Sequence, residues 1–286
     1  MPSAHDPRSS RDKILRVVTE VAFSAAATEH GIAITPGGPS LTWTEMLAGC
    51  GSWPADSAQA ARRLETLVRL RRAFGGPASQ KSSRQLLARL WTGARLLALP
   101  PGHVDDWGAR QAPGGPRGGA LVLRLGWLDG TGEPAGTGTA QTVTDLLPLP
   151  PGFLPGLGLT DPAITRRLWH AAARRAVRDS AAAAAGLTAA NRAGHRTLTP
   201  VAGTDVLTLL AMAPLRRVLA AGDGTGMRAV GVPQRSAGWY DLSLIDPDYV
   251  PLAFELSAPA ERGLAVPVLV TRDEVVASRS TSASTS

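Results

Sequence analysis

Apolar residues recur every three to four positions along several stretches of the chain, a spacing that is typical of amphipathic helices. This pattern predicts helices over residues 10–30, 57–74 and 82–99, and a shorter helix near Met46. Gly or Pro follows each stretch, and these residues are common helix stop signals. We therefore expect residues 1–100 to be mainly helical.

One further predicted helix, which runs from Asp161 to Leu187, has its charges sorted by face. At about 100° per residue, its arginines fall within one half of the helix surface. The other half carries Leu168, Trp169 and several alanines. One side of this helix can pack against a core while the other side meets an anion. The arginines concerned are Arg166, Arg167, Arg174, Arg175 and Arg178.

The pattern changes after residue 100. Residues 101–119 are rich in Gly and Pro and predict a junction. The segment ALVLRLGWL that follows predicts a strand, and Leu146 to Leu159 should lie extended on another surface, because its prolines remove helix donors. A helix interrupted near Pro214 is predicted from Thr204 to Ala221. The segments GWYDLSLI, YVPLAFELS and LAVPVLVT predict strands, ahead of a flexible Ser/Thr tail.

These elements predict an α+β fold with three parts. Residues 1–100 form the helical part, residues 101–119 the junction, and residues 120–286 a mixed α+β part that ends in β-strands. A chain of 286 residues is long enough to bury a substantial core.

Charge adds a second observation. The chain has 30 basic and 23 acidic residues, a net charge of +7, and its only lysines are Lys13 and Lys81. A preference for Arg over Lys also follows from a GC-rich coding sequence, but the excess of positive over negative charge does not. The basic excess is consistent with nucleic acid or another anionic partner.

Other classes of protein find little support. Cys50 is the only cysteine, so one chain can form neither a disulfide nor a cysteine-based metal site. The N-terminus lacks an apolar signal core, and no long apolar run is present. We expect a soluble protein that is cytoplasmic or part of a particle, is not secreted by a signal peptide, and has no membrane partner.

Residues 41–74 resemble a helix–turn–helix: a short helix, a Gly-containing turn and a longer basic helix. In that interpretation, backbone or base contacts would come from one set of arginines. The turn is longer than usual and contains Pro54, so ordinary helix packing is the alternative. The set is Arg62, Arg63, Arg69, Arg71 and Arg72.

Catalytic motifs are weak. His103 lies beside Asp105 and Asp106 in a Gly/Pro-rich loop, but a metal site there would need ligands from elsewhere. Asp246 and Asp248 flank Pro247 in a composition that is common in turns. The Gly-rich segments fit neither a dinucleotide-binding nor a P-loop motif. We assign no catalytic residue, no metal and no cofactor.

The sequence favours a non-enzymatic structural protein that self-assembles, as a homo-oligomer, and contacts the nucleic acid backbone. A coat, nucleocapsid or packaging protein of a capsid or virion would have these properties. Both arginine sets, at 62–72 and 166–178, would contact phosphates. A helix–turn–helix regulator or replication protein is the first alternative, and an enzyme without a recognisable motif is the second.

Overall fold

Helices and antiparallel sheets alternate in the computed structural model of the protein, which describes residues 57–74, 83–107, 120–128, 145–150, 153–192, 196–222 and 224–277. The fold class is α+β, as predicted. The predicted helices at 10–30 and near Met46, and the Ser/Thr tail, lie outside the described residues.

The N-terminal described helices are α1 (Ser57–Phe74) and α2 (Ser83–Gly93). The first confirms the prediction for residues 57–74. The second is shorter than predicted, because the chain turns at Gly93 into strand β1 (Ala94–Leu99). The helix predicted to continue to Leu99 is therefore wrong in its second half.

Tertiary pairing explains that error. Strand β1 pairs along its whole length with β2 (Val122–Leu128), antiparallel, with Ala94 opposite Trp127. The Trp127 indole occupies the space where any Cβ on Gly93 would lie, and its Nε1 donates to the Arg89 carbonyl at 3.3 Å. Leu- and Ala-rich sequence favours a helix locally, but a partner strand overrides that preference.

The first sheet has the order β1–β2–β3, where β3 is Leu146–Pro148. Thus part of the Pro/Leu-rich segment does lie extended, paired with β2 of the same chain. The segment then forms one short helical turn, α3 (Phe153–Gly156). Leu146 and Leu147 are fully buried, so this stretch contributes to the core.

The predicted helix at 161–187 is confirmed as α4 (Pro162–Arg192). Asp161 Oδ1 accepts a hydrogen bond from the Ala163 amide at 2.8 Å and so satisfies one free donor of the first turn. Leu168, Ala172 and Ala176 are buried against β1 and the helices that follow. Small alanines on this face allow the helix to approach the sheet closely.

The C-terminal part contains two short helices, α5 (Val206–Ala211) and α6 (Ala213–Ala221), in place of one, which confirms the interruption near Pro214. A second antiparallel sheet has the order β4–β6–β5–β7–β8. Its strands are β4 (Thr197–Leu198), β5 (Met227–Gln234), β6 (Ala237–Trp239), β7 (Val268–Thr271) and β8 (Val275–Ala277).

Of the three predicted C-terminal strands, LAVPVLVT is confirmed, since it contains β7. The segment GWYDLSLI contributes Gly238 and Trp239 to β6 but then forms a short 3₁₀ turn (Leu242–Leu244), and YVPLAFELS forms helix α7 (Tyr249–Leu256), so the strand prediction is mostly wrong for the first and wrong for the second. Pro251 lies in the first turn of α7, where the missing N–H costs no helical hydrogen bond. In a paired strand the same proline would remove a donor.

The main hydrophobic core extends from Leu70 to Val275 and includes residues of both sheets, and Leu97, Leu99, Leu128 and Leu146 form a smaller separate cluster. Strands β1 and β2 flank the predicted junction and pair directly, and the Ala120 amide donates to the Val275 carbonyl at 2.8 Å. The segments before and after the junction thus pack together. Residues 108–119 lie outside the described residues, and the division into three parts stays a prediction.

Candidate functional site

Helix α4 presents a row of exposed arginines, which we call the arginine face: Arg166, Arg167, Arg174 and Arg178. At about 100° per residue these four positions fall within an arc of about 120°. The row is about 18 Å long at a rise of about 1.5 Å per residue. Exposed His170 lies within the same arc, and buried Leu168 and Ala172 lie on the opposite side.

The charges on this face are largely uncompensated. Among the described residues, no carboxylate lies within ion-pair distance of Arg166, Arg167 or Arg174. Arg178 Nε lies 3.6 Å from Asp179 Oδ1, but the Arg178 side chain remains 74% exposed. Asp179 is buried and accepts a hydrogen bond from Thr204 Oγ1 at 2.7 Å. The face is therefore a strip of positive charge open to solvent.

The fifth predicted arginine of this helix behaves differently. Arg175 is half-buried, and its Nη1 donates to the Ala94 carbonyl at 2.9 Å. Arg95, at the start of β1, donates to the same carbonyl at 3.1 Å. Arg95 carries no signal in the sequence, because it lies inside a predicted helix that has no charge pattern of its own.

On α1, Arg62 is engaged within the chain. Its Nε donates to Asp105 Oδ1 and its Nη1 to Glu65 Oε2, each at 3.0 Å. Burial opposes the charged form of Arg62, but the two carboxylates outweigh this effect and raise its pKa above the usual value. Arg62 Nη2 has no hydrogen-bond partner among the described residues, but it is buried and so is closed to a phosphate from solution.

Arg63 and Arg69 also contact other groups of the chain. Arg63 is 1% exposed and donates to the Asp106 carbonyl at 3.1 Å. Its Cζ lies over the Trp107 ring, 5.4 Å from the ring centroid. Arg69 pairs with Asp145 at 3.4 Å. The side chains of Arg71 and Arg72 lie outside the described residues. The predicted α1 set therefore does not form an exposed face in its described members.

Asp105 and Asp106, which bind Arg62 and Arg63, belong to a charge network around the loop at 103–107. Arg235 Nη2 donates to Asp205 Oδ2 at 2.8 Å, and Arg235 Nη1 lies 3.5 Å from Asp105 Oδ2. All three side chains are at most 1% exposed. Arg124 donates to Asp106 Oδ1 at 2.7 and 2.9 Å. The network joins α1, β2, the β5–β6 turn and the start of α5.

His103 is part of the same loop and is neutral. Its Nδ1 accepts from the Asp105 amide at 3.0 Å, so its Nε2–H is the donor to the Arg262 carbonyl at 3.1 Å. Burial is the main cause that lowers the pKa of His103 to about 4. With both ring nitrogens in use, His103 serves structure here. Within the described ranges, no group of three or more His, Cys, Asp or Glu side chains is arranged to hold a metal ion.

The acidic segment at 246–248 is the turn that its composition predicts. Asp246 Oδ1 accepts from the Asp248 amide at 2.9 Å, and the Asp246 carbonyl accepts from the Tyr249 amide at the same distance. This turn starts α7. Both carboxylates are exposed.

A second exposed feature, which we call the apolar row, consists of Leu244 in the 3₁₀ turn and of Tyr249, Leu252 and Leu256 on helix α7. Leu256 is 78% exposed and Leu252 is 58% exposed, and their i, i+4 spacing places them next to each other on the helix surface. On the helix, positions 249, 252 and 256 fall within an arc of about 60°. Val250 is buried and fixes the opposite side against the sheet.

No helix in the described part of the chain is long and apolar enough to cross a membrane. Comparison of the chain with protein-family models, with curated proteins and with solved structures finds no match.

Proposed function

We propose that this protein is a non-enzymatic structural protein that associates with itself and binds the phosphate backbone of a nucleic acid, in the manner of a coat, nucleocapsid or packaging protein. The observation that carries the proposal is the arginine face of α4. Its described arginines point to solvent, while the opposite side of the same helix is fixed in the core.

The geometry of the face suits a phosphate chain. Its length of about 18 Å matches the rise of about five phosphates along one strand of a duplex, at about 3.4 Å each. Arginine binds phosphate oxygens through paired N–H groups. Because these contacts carry no sequence information, we expect binding without strong sequence preference. The net charge of +7 adds long-range attraction.

The apolar row supports the self-association half of the proposal, with a second copy of this chain as its occupant. Exposed Asp246 and Asp248 border the row, whereas the chain as a whole is basic. A patch with an acidic rim is complementary in charge to other surfaces of the same chain. Adjoining apolar side chains with exposures of 38% to 78% favour burial against a partner.

The positions of the α1 arginines favour this proposal over a helix–turn–helix regulator. A recognition helix must expose its arginines to the major groove. Arg62, Arg63 and Arg69 contact groups of the same chain. The row of exposed arginines lies on α4 instead.

The test of nucleic acid binding is fluorescence anisotropy with a short labelled oligonucleotide of mixed sequence, over a range of salt concentrations. The variant Arg166→Gln/Arg167→Gln/Arg174→Gln should bind at least about tenfold more weakly than wild type. For a single-stranded oligonucleotide, the magnitude of the slope of log affinity against log salt concentration should decrease by about 2.

A matched control exists for this variant. Arg84, Arg217 and Arg272 are exposed and lie on other elements, so Arg84→Gln/Arg217→Gln/Arg272→Gln removes the same charge. It should retain most of the affinity. Equal losses in the two variants would show a general charge effect and refute a binding face on α4.

Self-association is tested by size-exclusion chromatography with light scattering, in high salt that strips nucleic acid. The wild-type protein should form an oligomer, and Leu252→Asp/Leu256→Asp should reduce its mass. Ala181→Asp/Ala185→Asp adds the same charges at exposed positions of α4 and should leave the mass unchanged. A monomeric wild type, or an unchanged mass in the leucine variant, would contradict this half of the proposal.

A further inference from the structure

Two arginines from different elements converge on one carbonyl oxygen where β1 begins. Arg175 Nη1 lies 2.9 Å and Arg95 Nη1 3.1 Å from the Ala94 oxygen, so these two nitrogens can be no more than about 6 Å apart. Arg178 lies one turn further along α4 and is largely exposed. We call Arg95, Arg175 and Arg178 the β1–α4 cluster.

Positive charge in the β1–α4 cluster exceeds the negative charge that faces it. Asp179 is the one carboxylate among the described residues whose charge acts on Arg95, and Thr204 already donates to it. Arg95 and Arg178 thus share one partly engaged carboxylate, and Arg175 is held by a carbonyl oxygen instead. Burial, followed by the charges of Arg175 and Arg178, lowers the pKa of Arg95.

Donors in the cluster remain available. Arg95 Nη1 donates to the Thr92 and Ala94 carbonyls, each at 3.1 Å, while its Nη2 makes no hydrogen bond to the described residues and, unlike the unpaired Nε, is not buried. Arg175 is anchored through one nitrogen. Each guanidinium has five N–H donors, so most of them are uncommitted. Anchoring to backbone carbonyls also fixes both groups before a ligand arrives, which lowers the entropy cost of binding.

We infer that the β1–α4 cluster is a binding site for one phosphate group, with Arg95 as its inner ligand. A phosphate would supply the missing negative charge and accept paired hydrogen bonds from guanidinium groups. The inference rests on the proposed function in one respect: it assigns the phosphate to a nucleic acid backbone that continues along the arginine face. A free phosphate or nucleotide offers the same chemistry and is the alternative source.

The decisive variant is Arg95→Gln, with Arg84→Gln as a control that removes the same charge from an exposed position of α2. Binding of the labelled oligonucleotide is measured by anisotropy. The melting temperature is measured with and without millimolar inorganic phosphate, at constant ionic strength set by sodium chloride. Arg95→Gln should bind the oligonucleotide about tenfold more weakly, whereas Arg84→Gln should bind as wild type does.

The thermal measurement separates this inference from the proposed function. Phosphate should raise the melting temperature of the wild type and of Arg84→Gln, and should not raise that of Arg95→Gln. If the wild type binds no oligonucleotide but phosphate stabilises it through Arg95, the site exists and its ligand is free phosphate. If Arg166→Gln/Arg167→Gln/Arg174→Gln weakens oligonucleotide binding while Arg95→Gln matches Arg84→Gln in both measurements, the proposed function stands and the site is refuted.

Discussion

Helices α1 and α4 carry the same sequence signature and place it in opposite environments. Each has an Arg-Arg pair within a helical apolar pattern, at 62–63 in α1 and at 166–167 in α4. In α1 the pair is bound by Asp105, Glu65 and the loop that follows β1. In α4 the pair is exposed and meets no carboxylate among the described residues.

The difference comes from what the rest of the chain supplies. The loop after β1 provides the Asp105 carboxylate, the Asp106 carbonyl and the Trp107 indole within reach of α1. The exposed side of α4 receives none of these. Arginines with partners hold the fold together, while arginines without partners can bind an external anion. Three predictions test this division, and they run from the largest expected effect on stability to the smallest.

Replacement of Arg235 should have the largest effect. Arg235→Gln leaves Asp105 and Asp205 buried without their shared cation, and breaking such a buried pair costs about 3–5 kcal/mol. Urea denaturation measures the loss. Arg166→Gln on the arginine face should change the free energy of unfolding by less than about 0.5 kcal/mol. Similar urea midpoints for the two variants would show that the buried and the exposed arginine contribute equally to stability.

His103 should make stability depend on pH. Burial first, and then the charges of Arg235 and Arg62, lower its pKa to about 4, while Asp105 and the Arg262 carbonyl oppose this shift. The unfolded chain takes up the proton near pH 6.5, so stability is full above that pH and falls by about 3 kcal/mol as the pH drops towards 4.

Comparison of variants isolates this contribution from that of other titrating groups. His103→Asn can keep an acceptor for the Asp105 amide and should flatten the profile between pH 4 and 6.5. His170→Asn, on the exposed side of α4, should retain the wild-type profile. Parallel profiles for all three proteins would show that His103 is not held neutral.

The pair between Arg69 and Asp145 should have the smallest effect of the three. Its side chains are 23% and 38% exposed, so water screens the 3.4 Å contact. Asp145→Asn should therefore cost less than about 1 kcal/mol in urea denaturation. A loss as large as that of Arg235→Gln would mean that partial exposure does not weaken these pairs.

Local pattern predicted much of the fold. The limits of α1, the start of α4, the break near Pro214 and the strand β2 all follow from spacing and stop signals within each segment, whereas α4 continues five residues beyond its predicted end. Prediction failed where a distant partner decided the outcome. Residues 94–99 are strand because β2 pairs with them, and residues 249–256 are helical because Pro251 and Val250 suit a first turn packed on the sheet.

The candidate site divides in the same way. The arginine face was predictable because helical periodicity alone sorts its positions. The burial of Arg62 and Arg63 was not, since Asp105, Asp106 and Trp107 lie more than 40 residues away in sequence. Arg95 was also beyond reach, because its role depends on the packing of β1 against α4.

The most direct test of the division is arginine footprinting with phenylglyoxal and mass spectrometry, on the free protein and on its complex with an oligonucleotide. Arg166, Arg167 and Arg174 should be modified in the free protein and protected in the complex, whereas Arg62 and Arg63 should resist modification in both. Two results would contradict the account. One is modification of Arg62 or Arg63 in the free protein that disappears in the complex, and the other is equal modification of the α4 arginines in both states.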